Sequence, residues 1–367
     1  MANSFQVLFG KEARPGDAAF YDLFTELEVE ENADLPGAIQ LTLPVTTEGP
    51  LGSENLTVLG DKEFQPYARI GVVVSVDLQP DACIFDGYVL SHRIHLDRGI
   101  TASSVQVWGQ DASCLMNLEE ITHEWFESDG AIANAIFGKY EFGQADENID
   151  DEDSGEHPEA GHSVMQRATD AQFLRDRARR SGRLFRVCCD SQAGTNIGYF
   201  IKPNVQGDAV VTLTLNPVAE SNVDTLAFEW DVARPTEVVA YALVLDKDPV
   251  DGSETDSGLD PLDDRSLAAF TGEHVMSTRL AATVDDVGEL KGRAASLLRE
   301  AGWFVKCEGE TDVARLGAVL RVGTLAQING AGTLHSGKYF VWSVRHSITA
   351  HSHRMKFVLV RNAVGAY

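Results

Sequence analysis

The segment "TDAQFLRDRARRSGRLFRVCC", from Thr169 to Cys189, combines a helix and a strand in one short run. Thr169 and Gln172 form a T-x-x-Q capping box, and Gly182 supplies the left-handed residue that ends a helix. Three apolar residues lie between them: Phe173, Leu174 and Ala178. The arginines of the same helix are expected to face water. A cap contributes about 1 kcal/mol and each buried large apolar side chain roughly 1.5–3 kcal/mol, so we predict a scaffold helix docked on a sheet.

The chain before this unit is rich in strand signals. Six runs of Val, Ile, Leu, Phe and Thr are separated by Gly, Pro, Asn and Asp: "SFQVLFG", "YDLFTELEVEEN", "AIQLTLPV", "ARIGVVVSVDL", "CIFDGYVLSHRIHL" and "SSVQVWGQDAS". In the second run, Leu23, Leu27 and Val29 occupy odd positions and acidic residues occupy even ones, which is the period of a strand with one wet face. Because barrel closure removes exposed sheet edges, residues 1–112 are predicted to form a first β-barrel domain.

Residues 113–222 are predicted to form an α/β connecting domain. Ser128 or Asp129 can cap a short helix that ends before Gly138, and helical signals are expected to begin after Cys114. The segment "QADENIDDEDSGEHPEAGH" has almost no apolar residue, so residues 144–160 are predicted to be a solvated acidic loop.

Residues 223–247 and 311–362 are predicted to form a second β-barrel domain, which the tail hairpin "KYFVWSVRHSITAHSHRMKFVLVRN" closes near His351 to His353. Residues 248–310 are predicted to be an acidic insert followed by a helix packed on that barrel, with a T-x-x-D start at Thr283 and Asp286 and a stop at Gly302. The helix, glycine and strand of "FLRDRARRSGRLFRVCC" return in "ASLLREAGWFVKCEG". This repetition predicts two related halves, or a common way of bracing two barrels. The fold class is therefore α+β and mainly β, with two tandem β-barrels linked by smaller α/β elements.

Length, charge and cysteine usage limit the classes of function. A chain of 367 residues exceeds one ordinary core. Its net charge of -26 argues against binding nucleic acid or anionic lipid through a general electrostatic field. The absence of a long apolar run and of a signal peptide predicts synthesis in the cytosol without membrane insertion. The 5 cysteines include the adjacent Cys188 and Cys189, so reduced and mostly buried thiols are expected.

Searches for chemical motifs favour no catalytic, cofactor-binding or metal-binding residue. There is no P-loop and no G-x-S-x-G elbow, and "HEWFE" lacks the second histidine of a zinc protease helix. His92 and His95 should lie on opposite faces of a strand. Two minor alternatives stay open: a metal site at His346, His351 and His353, and a calcium loop at Asp246, Asp248 and Asp251 before Gly252. A third alternative is that the arginines of "RDRARRSGR" form a nucleic-acid-binding patch. The more ordinary interpretation is that they lie on a solvated helix face.

The order of these features resembles the late control protein D family of phage baseplate hubs, which includes the hub part of type VI VgrG proteins. The resemblance rests on "FDGYV", "VQVWGQDAS", "AIANAIFGKY", "VMQRATDAQFLRDRARRSGRLFRV" and "GKYFVWSVRHSITAHSHRMKFVLVRN", and covers most of the chain. The segment from Gln166 to Val187 matches the most recognisable part of the family.

This resemblance implies a non-enzymatic homotrimer in which two barrels per chain give a pseudo-sixfold ring that joins a threefold spike to a sixfold tail tube. The implied partners are the spike protein, tail tube or tube initiator proteins, and baseplate wedge or adaptor proteins; tape measure or cargo is expected in the channel. VgrG chains continue into a neck and needle, whereas this sequence stops at Tyr367, soon after the last predicted barrel strand. A spike is therefore expected to be a separate polypeptide. The rival interpretations are a tail-associated peptidoglycan-cleaving enzyme and a monomeric β-rich binding module. We expect assembly into the baseplate of a virion or phage-tail-like particle.

Overall fold

The computed structural model describes residues 4–45, 62–97, 103–143, 148–151, 164–189, 192–216, 220–242, 250–282 and 287–366. Most of the predicted acidic loop 144–160, the cap residues Thr283 and Asp286, and two of the calcium candidates, Asp246 and Asp248, lie outside these residues. No helix within the described ranges is long and apolar enough to cross a membrane.

Most regular structure in the described chain is strand. The strands are β1 (Ser4–Phe9), β2 (Arg14–Pro15), β3 (Glu26–Asn32), β4 (Ala38–Pro44), β5 (Arg69–Ser75), β6 (Ala82–His95), β7 (Ser104–Asp111), β8 (Glu120–Trp125), β9 (Val164–Thr169), β10 (Leu184–Cys189), β11 (Asn196–Ile201), β12 (Val211–Thr214), β13 (Thr225–Trp230), β14 (Glu237–Ala242), β15 (Val250–Asp251), β16 (Arg265–Ser266), β17 (Ser277–Leu280), β18 (Val305–Asp312), β19 (Leu325–Asn329), β20 (Gly337–Ile348), β21 (His353–Arg361) and β22 (Ala363–Val364).

The helices are short and lie between these strands. They are α1 (Ala18–Leu23), α2 (Asp129–Lys139), α3 (Asp170–Ser181), α4 (Leu267–Thr271), α5 (Val287–Gly302), α6 (Val313–Leu316) and α7 (Gly332–His335), with 3-10 turns at Lys62–Phe64 and Ala112–Asn117. The mainly β prediction is confirmed.

One 13-stranded sheet runs through both strand-rich regions, in the order β13-β18-β21-β20-β3-β4-β7-β6-β5-β1-β2, with β19 on β20 and β12 on β19. The two barrel regions expected from the sequence are joined in this sheet, and the described strands follow one open path with no closed barrel. The physical reason is β20, whose residues pair with β21 and also with β3, so the two regions share backbone hydrogen bonds. One hydrophobic core accordingly spans them, with Leu27, Val107, Phe340 and Leu359 among its buried members.

The eight strands from β13 to β6 divide into two four-stranded units of the same design. The first unit is β3-β4-β7-β6 and the second is β13-β18-β21-β20; in each, the spatial order is the first, second, fourth and third strand along the chain. All pairings between these strands are antiparallel. The third strand along the chain carries a β-bulge in both units, at Leu90 in β6 and at Trp342 in β20. The chain therefore contains an internal repeat, located in the sheet.

Helix α3 is built as the sequence predicts at both ends. The Thr169 hydroxyl accepts a hydrogen bond from the Gln172 N–H at 3.3 Å, and Gly182 ends the helix at φ 64°. The predicted apolar stripe, Phe173, Leu174 and Ala178, is buried. The expectation that the arginines face water is wrong for Arg177, which is buried and whose Nε donates to Asp129 Oδ1 at 2.7 Å.

The repeated helix units noted in the sequence do not occupy equivalent places. After α3 the chain enters β10, which pairs only with β11 among the described strands, whereas after α5 it enters β18 inside the large sheet. The two helices instead contact each other. Arg299 of α5 donates from Nη1 to the carbonyl oxygens of Ser181 and Gly182 at 3.0 and 3.1 Å, which satisfies the C-terminal end of α3.

Three local predictions fail for identifiable reasons. Residues Tyr21–Leu23, predicted as strand, belong to α1, because Asp17 Oδ1 caps that helix by accepting from Phe20 N at 2.8 Å. "HEWFE" begins on strand β8, paired with β9, where helical signals were expected. The alternation of faces that a regular strand of the tail hairpin should show breaks at Trp342 in β20, because the bulge there shifts the face of the following residues.

Candidate assembly surface

One face of the large sheet is directed away from the hydrophobic core, and we call it the wet face. Its side chains lie in continuous rows across both four-stranded units. One row follows directly opposed residues through all eight strands: Tyr88, Gln110, Ala38, Glu30, Arg345, Lys356, Glu310 and Thr225. Each strand alternates between this row and the apolar core, because successive side chains point to opposite faces. This row is a polar strip that the two strand regions build together, while Phe340 and Val360 on the same face are buried.

Charges on this face are paired across neighbouring strands. Arg345 Nη2 lies 2.8 Å from Glu30 Oε2, and Arg354 bridges Glu310 at 2.6 Å and Asp224 at 3.2 Å. The hydrogen bond that Arg345 donates to Glu30 raises the pKa of the Arg345 guanidinium. Since these side chains remain partly exposed, each pair contributes little to stability, about 0–1 kcal/mol. Their main effect is to keep the surface hydrophilic with locally balanced charge.

The run of eight strands ends in two open edges. Residues 91–95 of β6 pair only with β7, since β5 covers β6 no further than Tyr88, and β13 pairs only with β18, among the described residues. Ser91, His92, Arg93 and His95 are exposed on one edge, and Glu229 and Trp230 on the other. An open edge is a ready site for pairing with another strand.

A buried polar chain lies where the two units meet. Arg321 Nε donates to both Glu31 carboxylate oxygens at 3.1 and 3.0 Å, and its Nη2 donates to the Cys189 carbonyl oxygen at 3.1 Å. His346 Nε2 lies 3.3 Å from Glu31 Oε1, and His346 Nδ1 lies 3.0 Å from His353 Nε2. These contacts connect β20, β21, β3 and β10 in one network.

The charges of this network follow from burial and pairing. Burial acts to raise the pKa of the Glu31 carboxyl, but Arg321 and His346 outweigh it and the pKa is lowered. Burial and the neighbouring His346 lower the pKa of His353 to about 2. Glu31 is therefore the acceptor and His346 Nε2–H the donor, and one hydrogen lies between His346 Nδ1 and Nε2 of the neutral His353.

The sequence placed His346, His351 and His353 as an alternative metal site, and the structure brings only two of them together. His351 is exposed at the turn. The two nitrogens of His346 face different partners, His353 and Glu31, so they do not converge on one point. Within the described residues no group of three or more His, Cys, Asp or Glu side chains could hold a metal ion.

The other histidine and carboxylate candidates have local roles. His92 and His95 are exposed and, as expected for a spacing of three on a strand, oppose different-facing residues, Val107 and Ser104. Asp251 Oδ1 accepts from the Ser253 N–H at 2.8 Å, and hydrogen bonds from Ser253 lower the pKa of Asp251. Such a turn is what an aspartate commonly stabilises without any ion.

Two other features lie in the connecting region. In the described part of the predicted acidic loop, Asp151 accepts hydrogen bonds from Ser128 Oγ at 2.6 Å and Gly130 N at 2.9 Å, so it supports the start of α2. All cysteines are free thiols, and Cys188 is the one that is not fully buried. This agrees with the expectation of reduced, mostly buried thiols.

The sequence matches a family model, the Alg8 N-terminal domain, over residues 39–350. The chain belongs to the Alg8 N-terminal domain family. The match runs from β4 to the end of β20, so it covers both four-stranded units apart from β3 and β21. This family is a different one from the late control protein D family that the sequence resembles. No curated protein sequence matches the chain.

This member of the Alg8 N-terminal domain family shares its fold with several proteins of solved structure. The tail protein from Neisseria meningitidis MC58 is similar with a TM-score of 0.65 and 12% identity, over 100% of this chain and 98% of that one. The 43 kDa tail protein of prophage MuSo2 from Shewanella oneidensis is similar with a TM-score of 0.65 and 12% identity, over 99% and 100%. A chain of the Francisella PdpA-VgrG complex is similar with a TM-score of 0.57 and 11% identity, over 100% of this chain and 59% of that one. The chain thus has the fold of phage tail and VgrG-related proteins.

Sequence reasoning missed the repeat in the sheet and the buried network. A faint signal for the repeat exists, since Val89–Arg93 reads V-L-S-H-R and Val341–Arg345 reads V-W-S-V-R. Five residues are too few to identify a repeat without the strand order and the matching bulges. Nothing local marks Glu31 as the partner of Arg321, because 290 positions separate them.

Proposed function

We propose that this chain is a structural baseplate hub of a contractile phage tail or a phage-tail-like injection particle, of the late control protein D and VgrG type. Three copies form a ring that joins a trimeric spike to a hexameric tail tube. The chain acts by geometry and has no catalytic role. The fold shared with tail proteins over nearly the full length of both partners supports this function.

The internal repeat is the observation that carries the proposal. A threefold spike and a sixfold tube can share one adaptor only if each of three subunits offers two similar units around the axis. The two units here have the same strand order, the same alternating directions and the same bulge position. Three copies therefore present six similar units.

The polar face and the open edges agree with a ring around a channel. With eight strands alternating in direction, β6 at one end runs opposite to β13 at the other, so head-to-tail copies meet as antiparallel strands. The polar rows then line the inside, where charge pairs such as Arg345 and Glu30 offer no apolar surface for a passing polymer to adhere to. Closing the ring also removes both open edges.

In this proposal the remaining partners follow from position in the particle. The ring surfaces above and below the channel contact the tail tube or tube initiator proteins and the spike protein, and the outer surface contacts baseplate wedge or adaptor proteins. The domain assignment from the sequence is kept as part of the proposal: barrel-like units at 1–112 and at 223–247 with 311–362, joined by 113–222 and by the segment 248–310. The assembled site is the baseplate of a virion or similar particle.

Light scattering on the purified chain, combined with negative-stain imaging, tests this function. We expect a mass of about 120 kDa, three times 39.9 kDa, and rings with a central opening and six lobes. The same measurement is made with the spike protein present, because a ligand that binds only the ring stabilises it by mass action. A mass of 39.9 kDa in both samples would contradict the hub and favour a monomeric binding module.

A further inference from the structure

We propose that β6 of one copy pairs with β13 of the next in the same register as β20 pairs with β3 inside one chain, and that Arg93 forms an ion pair with Glu229 of the next copy. This inference rests on the proposed trimeric ring and names the contact that closes it. The internal repeat supports it, because each chain already contains one junction of the same kind, between β20 and β3.

The bulges define which residues of the two units are equivalent. Placing Leu90 on Trp342 makes Tyr88 equivalent to Phe340. Following directly opposed residues from these two positions gives two matching rows: Tyr88, Gln110, Ala38 and Glu30 in the first unit, and Phe340, Val360, Lys306 and Glu229 in the second. Glu229 on β13 is thus equivalent to Glu30 on β3.

The same alignment makes Arg93 equivalent to Arg345, since each follows its bulge by three residues. Their cross-strand neighbours agree: Arg93 opposes Gln106, and Arg345 opposes Lys356, which are equivalent positions of β7 and β21. The equivalence of the two arginines and that of the two glutamates therefore come from one register, without using their charges.

The junction inside the chain shows what such a contact contains. Residues Ser343 to Ile348 of β20 pair antiparallel with Asn32 to Leu27 of β3, directly after the bulge. Arg345 directly opposes Glu30, and their side chains form the 2.8 Å ion pair on the wet face. The bulge separates the part of β20 that pairs with β19, Gly337 to Phe340, from the part that pairs with β3.

Transferring this register to the open edges places Arg93 opposite Glu229 of the next copy. Both are exposed in the isolated chain, and both lie on the wet face of their strands. Within the stretches that would pair, Arg93 is the one Lys, Arg, Asp or Glu of residues 91–96 and Glu229 the one of residues 225–230, so the two stretches carry opposite charge. Such complementarity selects the correct partner edge and its register.

The opposite face of the same register is apolar. Ile94 faces Phe228 of the next copy, and Leu96 faces Leu226. Leu96 is 64% exposed and Trp230 48% exposed in the single chain. Pairing covers both, and this explains why large apolar side chains lie next to two open strand edges.

A charge exchange tests the pairing in the full-length chain. Arg93→Glu and Glu229→Arg each place like charges opposite one another, and we expect each to weaken trimer formation by about tenfold or more in light scattering. The double variant restores the opposite charges in reversed order, so most of the loss is recovered. Both positions are exposed, so thermal melting of the monomer should not change, which separates assembly from folding.

A disulfide trap tests the register. The proposal places His95 directly opposite Ala227 of the next copy, within the Cα separation that a disulfide needs. His95→Cys with Ala227→Cys should give covalent trimers under copper phenanthroline oxidation, whereas His95→Cys with Thr225→Cys, shifted by two residues, should cross-link far less. A trimer that ignores the charge exchange and does not cross-link at 95 and 227 overturns this register and leaves the hub intact. A chain that stays monomeric throughout overturns the hub, and the register with it.

Discussion

His346 Nδ1 and His353 Nε2 lie 3.0 Å apart inside the C-terminal hairpin, and both rings are buried. The pair is the end of a polar chain that continues through Glu31 to Arg321 and crosses the junction between the two sheet units. A buried polar chain of this kind stabilises the fold only while every member keeps its partner and its protonation state. Lowering the pH should therefore weaken the stabilisation that this chain gives to the junction between the two sheet units.

We predict that acid destabilises the protein partly through His353. Its pKa is about 2 in the folded chain against an ordinary value of 6.5, so the unfolded chain takes up the proton first as the pH falls. The stability from neutral His353 is complete above pH 6.5 and decreases below it by about 1.4 kcal/mol per pH unit. Between about pH 6.5 and about pH 5, His353→Gln should lose about 2 kcal/mol less than the native chain in urea unfolding.

The exposed His351 provides the matched control, since His351→Gln should keep the native pH dependence. Asp111 acts in the opposite sense, because burial raises its pKa to about 6 and favours the folded state as the pH falls. Its contribution is present in all three proteins and cancels in the difference. An unchanged slope in His353→Gln would contradict the assigned protonation of the network.

The end of α3 offers a comparison between two glycines. Gly182 and Gly317 both end helices at positive φ, 64° and 70°. A Cβ at Gly182 would lie 2.5 Å from Arg299 Nη1 and 3.0 Å from Ser296 Cα, whereas a Cβ at Gly317 meets no atom within 4 Å. Gly317→Ala should cost about 1 kcal/mol for its backbone conformation, and Gly182→Ala about 1–3 kcal/mol more because α3 and α5 must separate. Denaturant unfolding measures both, and equal losses would show that the contact between the helices is unimportant.

Two arginines on α3 differ in burial, so replacing each of them distinguishes a buried ion pair from a solvated helix face. Arg177 is buried against Asp129, while Arg180 is exposed three residues later. Arg177→Met leaves the Asp129 carboxylate buried without its charge partner, so we expect a loss of about 3–5 kcal/mol of unfolding free energy. Arg180→Met should change it by less than about 0.5 kcal/mol. Similar effects in both variants would restore the view that this whole face is solvated.

The difference in burial between two apolar residues predicts which of them loses more stability when a charged residue replaces it. Phe173 is 7% exposed, whereas Leu297 on α5 is only partly buried. Phe173→Asp should therefore prevent folding or cost several kcal/mol, and Leu297→Asp should fold with a smaller loss, because its carboxylate can reach water. Circular dichroism melts of both variants measure this order, and the reverse order would contradict the packing of α3.

Features that depend on nearby residues could be predicted from the amino-acid order alone. The cap at Thr169, the stop at Gly182 and the hairpin around His351 were predictable because each depends on hydrogen bonds or backbone freedom within a few residues. The alternation of Leu27 and Val29 with glutamates was equally readable, since a strand that covers a core on one face must alternate. The mainly β class follows from many such segments.

How the strands join and which charged residues are buried depends on contacts between distant parts of the chain. β20 could have completed a barrel of its own, and no local pattern marks that its second half, after the bulge at Trp342, pairs with β3. Arg177 looks like its exposed neighbours until Asp129 is brought against it from 48 residues away. The repeat that carries the proposed function is hidden from the sequence for a similar reason. The two units share their strand order and register through backbone hydrogen bonds, and almost any side chain that suits its face of the sheet is compatible with those bonds.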